Sequence, residues 1–481
     1  MSWLRPLRTE QPSPEPANER QTERDNPPGG QRGIVYRTVD HSDQALIERV
    51  TPMDLTVLAT DRGSVPMNIG AVLEFDPSNA PSITKVRALL ADRLPAIPRL
   101  RQRLRRAPLG CGRPVWVDDA GFDLDRHLTA RRWPEPGGSR ELLDVAADLV
   151  CDRFDHRRPL WRACLLTNSA GGRSALVLVF HHVLADGLGG LAVLATLADP
   201  GPQHSGPDFP RRAPRWNEFA IDAARQRANA ARGLSVRLRR AVAGIRELGI
   251  RPTGPRLAEK TFLNRPTSAR RRLDRVAVSL ADVIVVGHRV GGTVNDIVLA
   301  AVTGALFKVL AARGEHPERL VVSVPVSGRR STTTDRLGND TGVRPIAVPA
   351  IADDHARLAK IITMTRSNAA LERASSAVPL GLAFRGLSRL GLFNLFVEHQ
   401  RLVHTFETNL RGPAEPVFLG GHPVRAIIPA AVNPGNVGVS FDVLSYAGVL
   451  GVTIVTDPEI VTEPEVLTAA LNHVFASLLE A

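Results

Sequence analysis

Two adjacent histidines and an acidic turn form the part of this sequence best suited to chemistry. His181, His182, Asp186 and Gly187 make the pattern HHxxxDG. An imidazole titrates near neutral pH, so His182 can take the proton of a hydroxyl group as its oxygen attacks an electrophile. Asp186 can hold the local geometry through a charge-assisted hydrogen bond, and Gly187 leaves room for a substrate near the backbone. The pattern predicts a general base with a supported turn.

The flanking residues predict a strand and a helix that position this motif. Residues 174–180 are a nearly continuous apolar run, which is typical of a buried strand, and residues 189–197 favour a helix. Neighbouring residues on a strand face opposite sides, so His181 and His182 would not share a metal ion, and we expect no metal site. Two ordinary core histidines remain the alternative interpretation. Because the chain has no GxSxG pattern, we expect direct attack rather than a covalent acyl-enzyme.

Length and composition predict two folded domains. The 481 residues are more than one core usually holds, and 43% are hydrophobic. We expect a disordered Pro/Arg-rich tail at 1–33, a first domain at 34–200, a basic crossover at 201–260 and a second domain at 261–481. Three cysteines indicate a reducing, cytoplasmic environment, and the lack of a long apolar run predicts no transmembrane helix.

The chain is strongly basic, with a net charge of +12 that comes almost wholly from arginine. Arginine-rich stretches at 98–106 and 225–246 are interpreted in three ways: solvated helix faces, sites for coenzyme A phosphates or an anionic lipid surface, and nucleic-acid contacts. A GC-rich genome would give the same bias. Aromatic residues for stacking on bases are few, at 5%, so we expect no nucleic-acid partner.

The sequence also resembles a known family. Its HHVLADG stretch is similar to the active-site motif of the CoA-dependent acyltransferase superfamily, and the rest of the chain resembles the bacterial wax ester synthase/acyl-CoA:diacylglycerol acyltransferase family. The further blocks that carry the resemblance, in family order, are residues 51–54, 66–70, 159–161, 294–300, 324–327, 338–339, 408–413 and 445–448. Arg411 departs from the proline that the family usually has.

The resemblance implies an α/β (α+β) fold with two chloramphenicol-acetyltransferase-like domains, each a mixed sheet with helices, and an active-site tunnel between them. It implies that His182 is the base and that Asp186 is mainly structural. Supporting or substrate-binding roles are implied for Asn295, Asp296, Thr408, Asn409, Pro159 and Trp161. Three of these, Asn295, Thr408 and Asn409, are alternative donors to an oxyanion, whereas 159–161 could equally be core packing and Asn295-Asp296 a helix cap.

The activity that the resemblance implies is transfer of a fatty acyl group from acyl-CoA to diacylglycerol or to a long-chain alcohol. Acyl-CoA would be a co-substrate, and no cofactor is expected. Two alternatives stay open: an acceptor of another type, and a catalytically silent lipid-associated protein. We expect the protein in the cytoplasm, either free or peripheral at the inner face of the plasma membrane or on lipid droplets.

Overall fold

The computed structural model describes most of the chain after residue 46. The described residues are 47–168, 172–202, 206–232, 239, 257–327, 333–334, 337–367, 377–432 and 435–480. The predicted tail at 1–33 lies outside them, as does much of the second half of the predicted crossover.

Eleven helices and fifteen strands are found in these residues. The helices are α1 Pro52–Thr60, α2 Ile83–Arg93, α3 Ser139–Cys151, α4 Gly187–Leu197, α5 Trp216–Arg232, α6 Leu280–Arg289, α7 Val294–Ala312, α8 Asp354–Ser367, α9 Ala377–Arg389, α10 Phe393–Glu398 and α11 Pro464–Leu479. The strands are β1 Glu48–Arg49, β2 Asn68–Phe75, β3 Gln102–Arg105, β4 Val115–Asp118, β5 Leu128–Arg132, β6 Trp161–Thr167, β7 Ser174–His181, β8 Arg272–Ser279, β9 Arg319–Ser327, β10 Thr341–Pro349, β11 Thr405–Arg411, β12 Phe418–Leu419, β13 His422–Ala431, β14 Val439–Tyr446 and β15 Val449–Thr456.

The first six-stranded sheet carries the histidine motif on an inner strand. Its order is β12-β13-β2-β7-β6-β5, with β5 and β6 parallel and the other pairs antiparallel. All eight residues of β7 are buried, as the apolar run predicts for a strand covered on both faces. The motif therefore begins at the end of the most protected strand of this sheet.

The second six-stranded sheet has the order β10-β9-β11-β14-β15-β8. Strand β11 runs parallel to both β9 and β14, so this sheet is also mixed. Helix α7 packs in the core of this half, with thirteen of its nineteen residues buried. The helix is long and apolar enough to cross a membrane by composition, but most of it is buried inside the protein. The fold class expected from the resemblance is confirmed.

Two strands from the second half of the chain belong to the first sheet, and the predicted domain division did not include this crossing. Strands β12 and β13 follow β11 in the sequence but pair in the first sheet, where β13 is antiparallel to β2. The prediction assigned all of 261–481 to the second domain, because the pairing of β13 with a strand more than 340 residues earlier leaves no local signal in the sequence. This crossing brings strands of both chain halves to the space between the sheets.

Candidate active site

His182 follows directly after β7 and lines a large cavity between the two sheets. The cavity has a volume of about 1280 Å³ and is lined mainly by apolar side chains from both sheets. The peptide N–H of His182 donates to the carbonyl of Met67 at 2.7 Å, which ties the end of β7 to the start of β2. Its Nδ1 atom is buried and makes no hydrogen bond to the part of the chain that the structure describes.

Residues 339–341, at the start of β10, hold both ends of the motif's turn. The Asn339 side-chain N–H donates to the carbonyl of His182 at 2.7 Å. At the other end, the Asp186 carboxylate accepts from the peptide N–H of Asp340 at 3.3 Å and from the Thr341 hydroxyl at 3.2 Å. The same carboxylate caps α4 by accepting from the Gly189 N–H at 3.0 Å. The second half of the chain therefore fixes the turn that carries the proposed base.

Asn339 connects this turn to the first helix. Its side chain and its peptide N–H both donate to Oδ1 of Asp54, at 2.8 and 2.9 Å. Asp54 also forms a capping box with Thr51 at the start of α1. Burial raises the pKa of Asp54, although the hydrogen bonds from Asn339 and Thr51 oppose that effect. Two sequence blocks far apart in the chain, 51–54 and 338–339, thus meet beside His182.

His181 points away from the cavity and is held by Asp61. Its Nε2 atom lies 3.1 Å from Oδ2 of Asp61, and its Nδ1 accepts from the peptide N–H of Val183 at 3.1 Å. Since Nδ1 accepts, the proton of the neutral ring is on Nε2 and is donated to Asp61. Burial lowers the pKa of His181 despite the neighbouring carboxylate. Both ring nitrogens of His181 are therefore occupied by contacts that hold the turn.

The surroundings of Asp61 are those of an ion-pair network. Asp61, His156 and His181 each bring one ligand atom within 4.8 Å of the others, which is metal-like spacing. However, the Arg153 guanidinium lies 3.6 Å from Asp61, and its positive charge disfavours a cation there. Asp61 also accepts from the Met67 N–H, and burial, which would raise its pKa, is outweighed by the contacts to His156 and His181 that lower it.

Thr408 lines the cavity from the second sheet, and its hydroxyl donates to Asp442. The two oxygens are 3.1 Å apart, and the other Asp442 oxygen accepts from the Ala431 N–H at 2.8 Å. Both Thr408 and Asp442 line the cavity that His182 lines. Burial raises the pKa of Asp442 above its ordinary value, against the effect of these two hydrogen bonds. The Thr408 hydroxyl is available to an oxyanion only if it turns away from Asp442.

Asn409 and Asn295 contact each other. The Asn409 side-chain N–H donates to the Asn295 side-chain oxygen at 3.2 Å, and of the two only Asn409 lines the cavity. Asp296 does not reach it. It forms the capping box of α7 with Thr293 and accepts from the Thr365 hydroxyl at 2.7 Å. The structure therefore places Asp296 as a helix cap, and Asn295 as a support for strand β11.

Residues 159–161 lie in the core of the first half and do not line the cavity. Trp161 is buried, donates from Nε1 to the carbonyl of Leu100 at 2.7 Å and stacks on His127 with ring centroids 4.8 Å apart. Pro159 accepts from the Trp161 peptide N–H, and Leu160 accepts from the His181 peptide N–H at 2.9 Å. These residues hold the end of β7 in place, which corresponds to the core-packing alternative.

The arrangement offers a proton acceptor at the edge of a large apolar chamber. His182, Asp186, Gly187, Thr408 and Asn409 all line it, from both halves of the chain. The Gly187 position is close-packed, since a Cβ there would lie 2.8 Å from the Leu410 side chain. An imidazole in such a chamber could take a proton from a hydroxyl group bound beside it. The fold and this site together define a two-domain enzyme with its reaction chamber between mixed sheets.

Comparison with solved structures gives the same fold. Among solved structures, the wax ester synthase/diacylglycerol acyltransferase from Marinobacter aquaeolei VT8 aligns with a TM-score of 0.64 and 22% identity, over 89% of this chain and 98% of that one. The first condensation domain of the calcium-dependent antibiotic synthetase aligns with a TM-score of 0.60 and 17% identity, over 91% and 97%. These two structures show the fold.

The sequence comparisons identify the family. The model of the wax ester synthase/diacylglycerol acyltransferase catalytic domain matches residues 50–298, and that of the C-terminal domain of the same family matches residues 338–479. A Mycobacterium tuberculosis protein named probable diacylglycerol O-acyltransferase tgs1 is 29% identical over 429 residues, which cover 86% of this chain and 92% of that protein. This chain belongs to the wax ester synthase/diacylglycerol acyltransferase family and is an acyltransferase that uses acyl-CoA.

Four acidic and amide residues at the site were not predicted as site residues from the sequence. They are Asp54, Asp61, Asn339 and Asp442. Asp54 and Asn339 lie in blocks that carry the family resemblance, and this was the available signal. Asp61 and Asp442 have no motif around them, so their roles become visible only when distant segments are brought together.

Proposed function

We propose that this acyltransferase moves a fatty acyl group from acyl-CoA to diacylglycerol or to a long-chain alcohol, with His182 as the general base. The acceptor oxygen attacks the thioester carbon while His182 takes the hydroxyl proton. The tetrahedral intermediate then breaks its carbon–sulfur bond, and His182 returns the proton to the departing thiolate. The products are an ester and coenzyme A, and no group beyond the two substrates is required.

The size and lining of the chamber carry this proposal. Its volume of about 1280 Å³ exceeds the roughly 300–1,000 Å³ of ordinary small-molecule pockets. Residues such as Leu178, Phe180, Phe384 and Phe406 line it, and His182 stands among them. Two long acyl or alkyl chains need such a space, and burial of their methylenes contributes about 0.8 kcal/mol for each group. A small polar acceptor would gain little from these walls.

The names of the relatives support the acceptor class. The Mycobacterium tuberculosis relative is named a diacylglycerol O-acyltransferase, and the Marinobacter protein is named for both wax ester and diacylglycerol activity. We also propose that the protein is cytoplasmic, either free or peripheral at the inner face of the plasma membrane or on lipid droplets; a peripheral position would suit both proposed acceptors, which partition into lipid.

An acceptor panel tests the proposal. Purified protein is given labelled palmitoyl-CoA with dioleoylglycerol, hexadecanol or a long-chain amine in separate reactions, and products are separated by thin-layer chromatography. Labelled triacylglycerol or wax ester well above the no-enzyme control supports the proposal, and the ratio of the two sets the preferred acceptor. Product with the amine alone would overturn it in favour of the different-acceptor alternative. No turnover with any of the three would favour a catalytically silent protein.

A further inference from the structure

Five leucines on and beside helices α9 and α10 are exposed to solvent. Their exposed fractions range from 38% to 72%, and they are Leu382, Leu390, Leu392, Leu395 and Leu402. We call them the leucine surface. Single exposed leucines are common on soluble proteins, but several on two consecutive short helices and their connecting turn are typical of an interaction site.

The opposite faces of the same helices line the reaction chamber. Phe384 of α9 contacts the rings of Phe393 and Phe396 of α10, with centroids 5.5 and 5.9 Å apart, and all three line the chamber. Leu402 belongs to both surfaces, since it is 38% exposed and also lines the chamber. Leu402 therefore joins the leucine surface to the wall of the chamber.

Arginines border the leucine surface. Arg389 is the last residue of α9 and precedes Leu390, and Arg401 precedes Leu402; both arginines are exposed. Arg62 is also exposed, and its carbonyl accepts from the side chain of Asn394 in α10 at 3.1 Å. Exposed arginines beside apolar side chains are complementary to anionic headgroups above an acyl layer.

We propose that the leucine surface is the face by which this protein docks on an anionic phospholipid bilayer, and that a lipid acceptor enters the chamber beside Leu402. The leucines would insert at the level of the upper acyl chains while Arg62, Arg389 and Arg401 contact headgroup phosphates. The acceptor would then move between two apolar environments without crossing water. The entry route rests on the proposed function, whereas docking does not.

Vesicle flotation tests the docking face. Wild type, the double variant Leu390→Ser/Leu395→Ser and the control Leu109→Ser are mixed with vesicles of phosphatidylcholine containing phosphatidylglycerol. Neither leucine of the double variant lines the chamber, and Leu109 is a fully exposed leucine in a different part of the chain. We expect wild type and the control to float, and the double variant to bind roughly tenfold more weakly or worse. Equal flotation of all three would overturn the proposal.

A second set of flotation measurements tests how much the arginines contribute to vesicle binding. Arg389→Gln should weaken flotation with phosphatidylglycerol vesicles several-fold, and raising the salt concentration should weaken wild-type binding in the same way. Binding to pure phosphatidylcholine that matches binding to the anionic vesicles would contradict the anionic preference. If the double variant instead changes the mass measured by analytical ultracentrifugation and wild type does not float, the surface joins two copies of the chain and the proposal fails.

A parallel activity assay separates this proposal from the proposed function. Octanoyl-CoA and octanol in solution report the chemistry without a bilayer, and diacylglycerol in the anionic vesicles reports chemistry plus entry. The double variant should keep its rate in solution and lose about tenfold in the vesicle assay. Equal loss in both assays would contradict a docking role. Flotation without turnover in either assay would sink the proposed function and leave docking intact.

Discussion

Nε2 of His181 and Oδ2 of Asp61 are 3.1 Å apart, and this hydrogen bond fixes the residue that precedes the proposed base. His181 is 1% exposed, so its ring has no access to water as a replacement partner. Because His181 and His182 are consecutive, a shift of one ring displaces the backbone of the other. A positioning role for Asp61 follows.

Removing the Asp61 carboxylate should therefore damage stability and rate together. Asp61→Ala leaves the N–H groups of His181 and Met67 unpaired, which costs about 1–3 kcal/mol for each buried group. We expect a lower melting temperature and a lower kcat, with KM little changed because Asp61 does not line the chamber. Asp92→Ala, at a side chain that is 68% exposed, is the control and should stay within about 0.5 kcal/mol of wild type. Wild-type kcat and stability in Asp61→Ala would refute this role.

Asp186 should be important for stability and should tolerate asparagine better than alanine. Asparagine keeps an oxygen for the Gly189 N–H and remains a good N-cap, whereas alanine loses the cap and the contacts to 340–341. We expect Asp186→Ala to lose about 1–2 kcal/mol of unfolding free energy or more, and Asp186→Asn to lose less. Chemical denaturation measures the order of the three proteins. If alanine were as stable as wild type, the tie between the motif's turn and β10 would be energetically irrelevant.

Glu407 should make the protein less stable as the pH rises. Its side chain is fully buried, and neither oxygen has a hydrogen-bond partner among the described residues. Burial, with a smaller contribution from Asp442, raises the pKa of Glu407 to about 8. The folded state then holds a proton that the unfolded chain has released, so the unfolding free energy falls between about pH 4.5 and 8, by roughly 3–5 kcal/mol.

The isosteric variant tests this assignment. Glu407→Gln cannot titrate, so its unfolding free energy should vary less with pH across that window, and it should exceed wild-type stability at pH 8. Glu415→Gln, at an exposed carboxylate, should leave the wild-type pH dependence unchanged. The measurement is urea denaturation at several pH values. Parallel pH profiles for wild type and Glu407→Gln would contradict the buried protonated state.

Gly190 should set the chain length that the chamber accepts. It lies in α4, lines the chamber, and a Cβ built on it meets no atom within 4 Å. Gly190→Ala should stabilise the helix by about 0.5–1 kcal/mol, because glycine is unfavourable inside a helix. Gly190→Leu should project into the chamber and shift preference towards shorter acyl-CoA or alcohol chains.

The neighbouring glycine provides the matched control for chain length. At Gly189 a Cβ would lie 2.7 Å from the Ala185 side chain, so Gly189→Ala should destabilise the protein without shifting chain preference. Relative kcat/KM values across acyl-CoAs of increasing length distinguish the two positions. An unchanged length profile in Gly190→Leu would show that the chains pass elsewhere.

Local patterns made the motif and its strand predictable. The apolar run before His181 predicted β7, and the interpretation of Asn295-Asp296 as a helix cap agrees with their place at the start of α7, because both signals lie within a few neighbouring residues. The contacts that complete the site are long-range. Asn339 and Asp54 are 285 positions apart, and His181 and Asp61 are 120 apart. Such pairs depend on how two sheets are assembled, which a single sequence does not specify.

The roles predicted from single motifs were the least secure for the same reason. A tryptophan after a proline and a leucine fits a core or a substrate site equally well, and the hydrogen bond from Trp161 to Leu100 decides for the core. The roles of Asn295 and Asp296 could not be separated from the sequence either. In the structure, Asn295 contacts Asn409 in the chamber wall, whereas Asp296 does not. The pairing of residues 418–431 with the first sheet was not predicted, because no local pattern in the sequence indicates which sheet a strand joins.

The most direct test of this account is the rate of acyl transfer by His182→Ala compared with His181→Ala. Labelled palmitoyl-CoA and the preferred acceptor are supplied at saturation, and folding of each variant is verified by circular dichroism and thermal melting. We expect His182→Ala to lose roughly 10²–10⁴-fold in kcat while its fold is retained, as removal of a general base does. His181→Ala should lose stability and a smaller factor in kcat, because His181 positions the base without taking the proton itself. Near wild-type kcat in a folded His182→Ala protein would contradict the central claim.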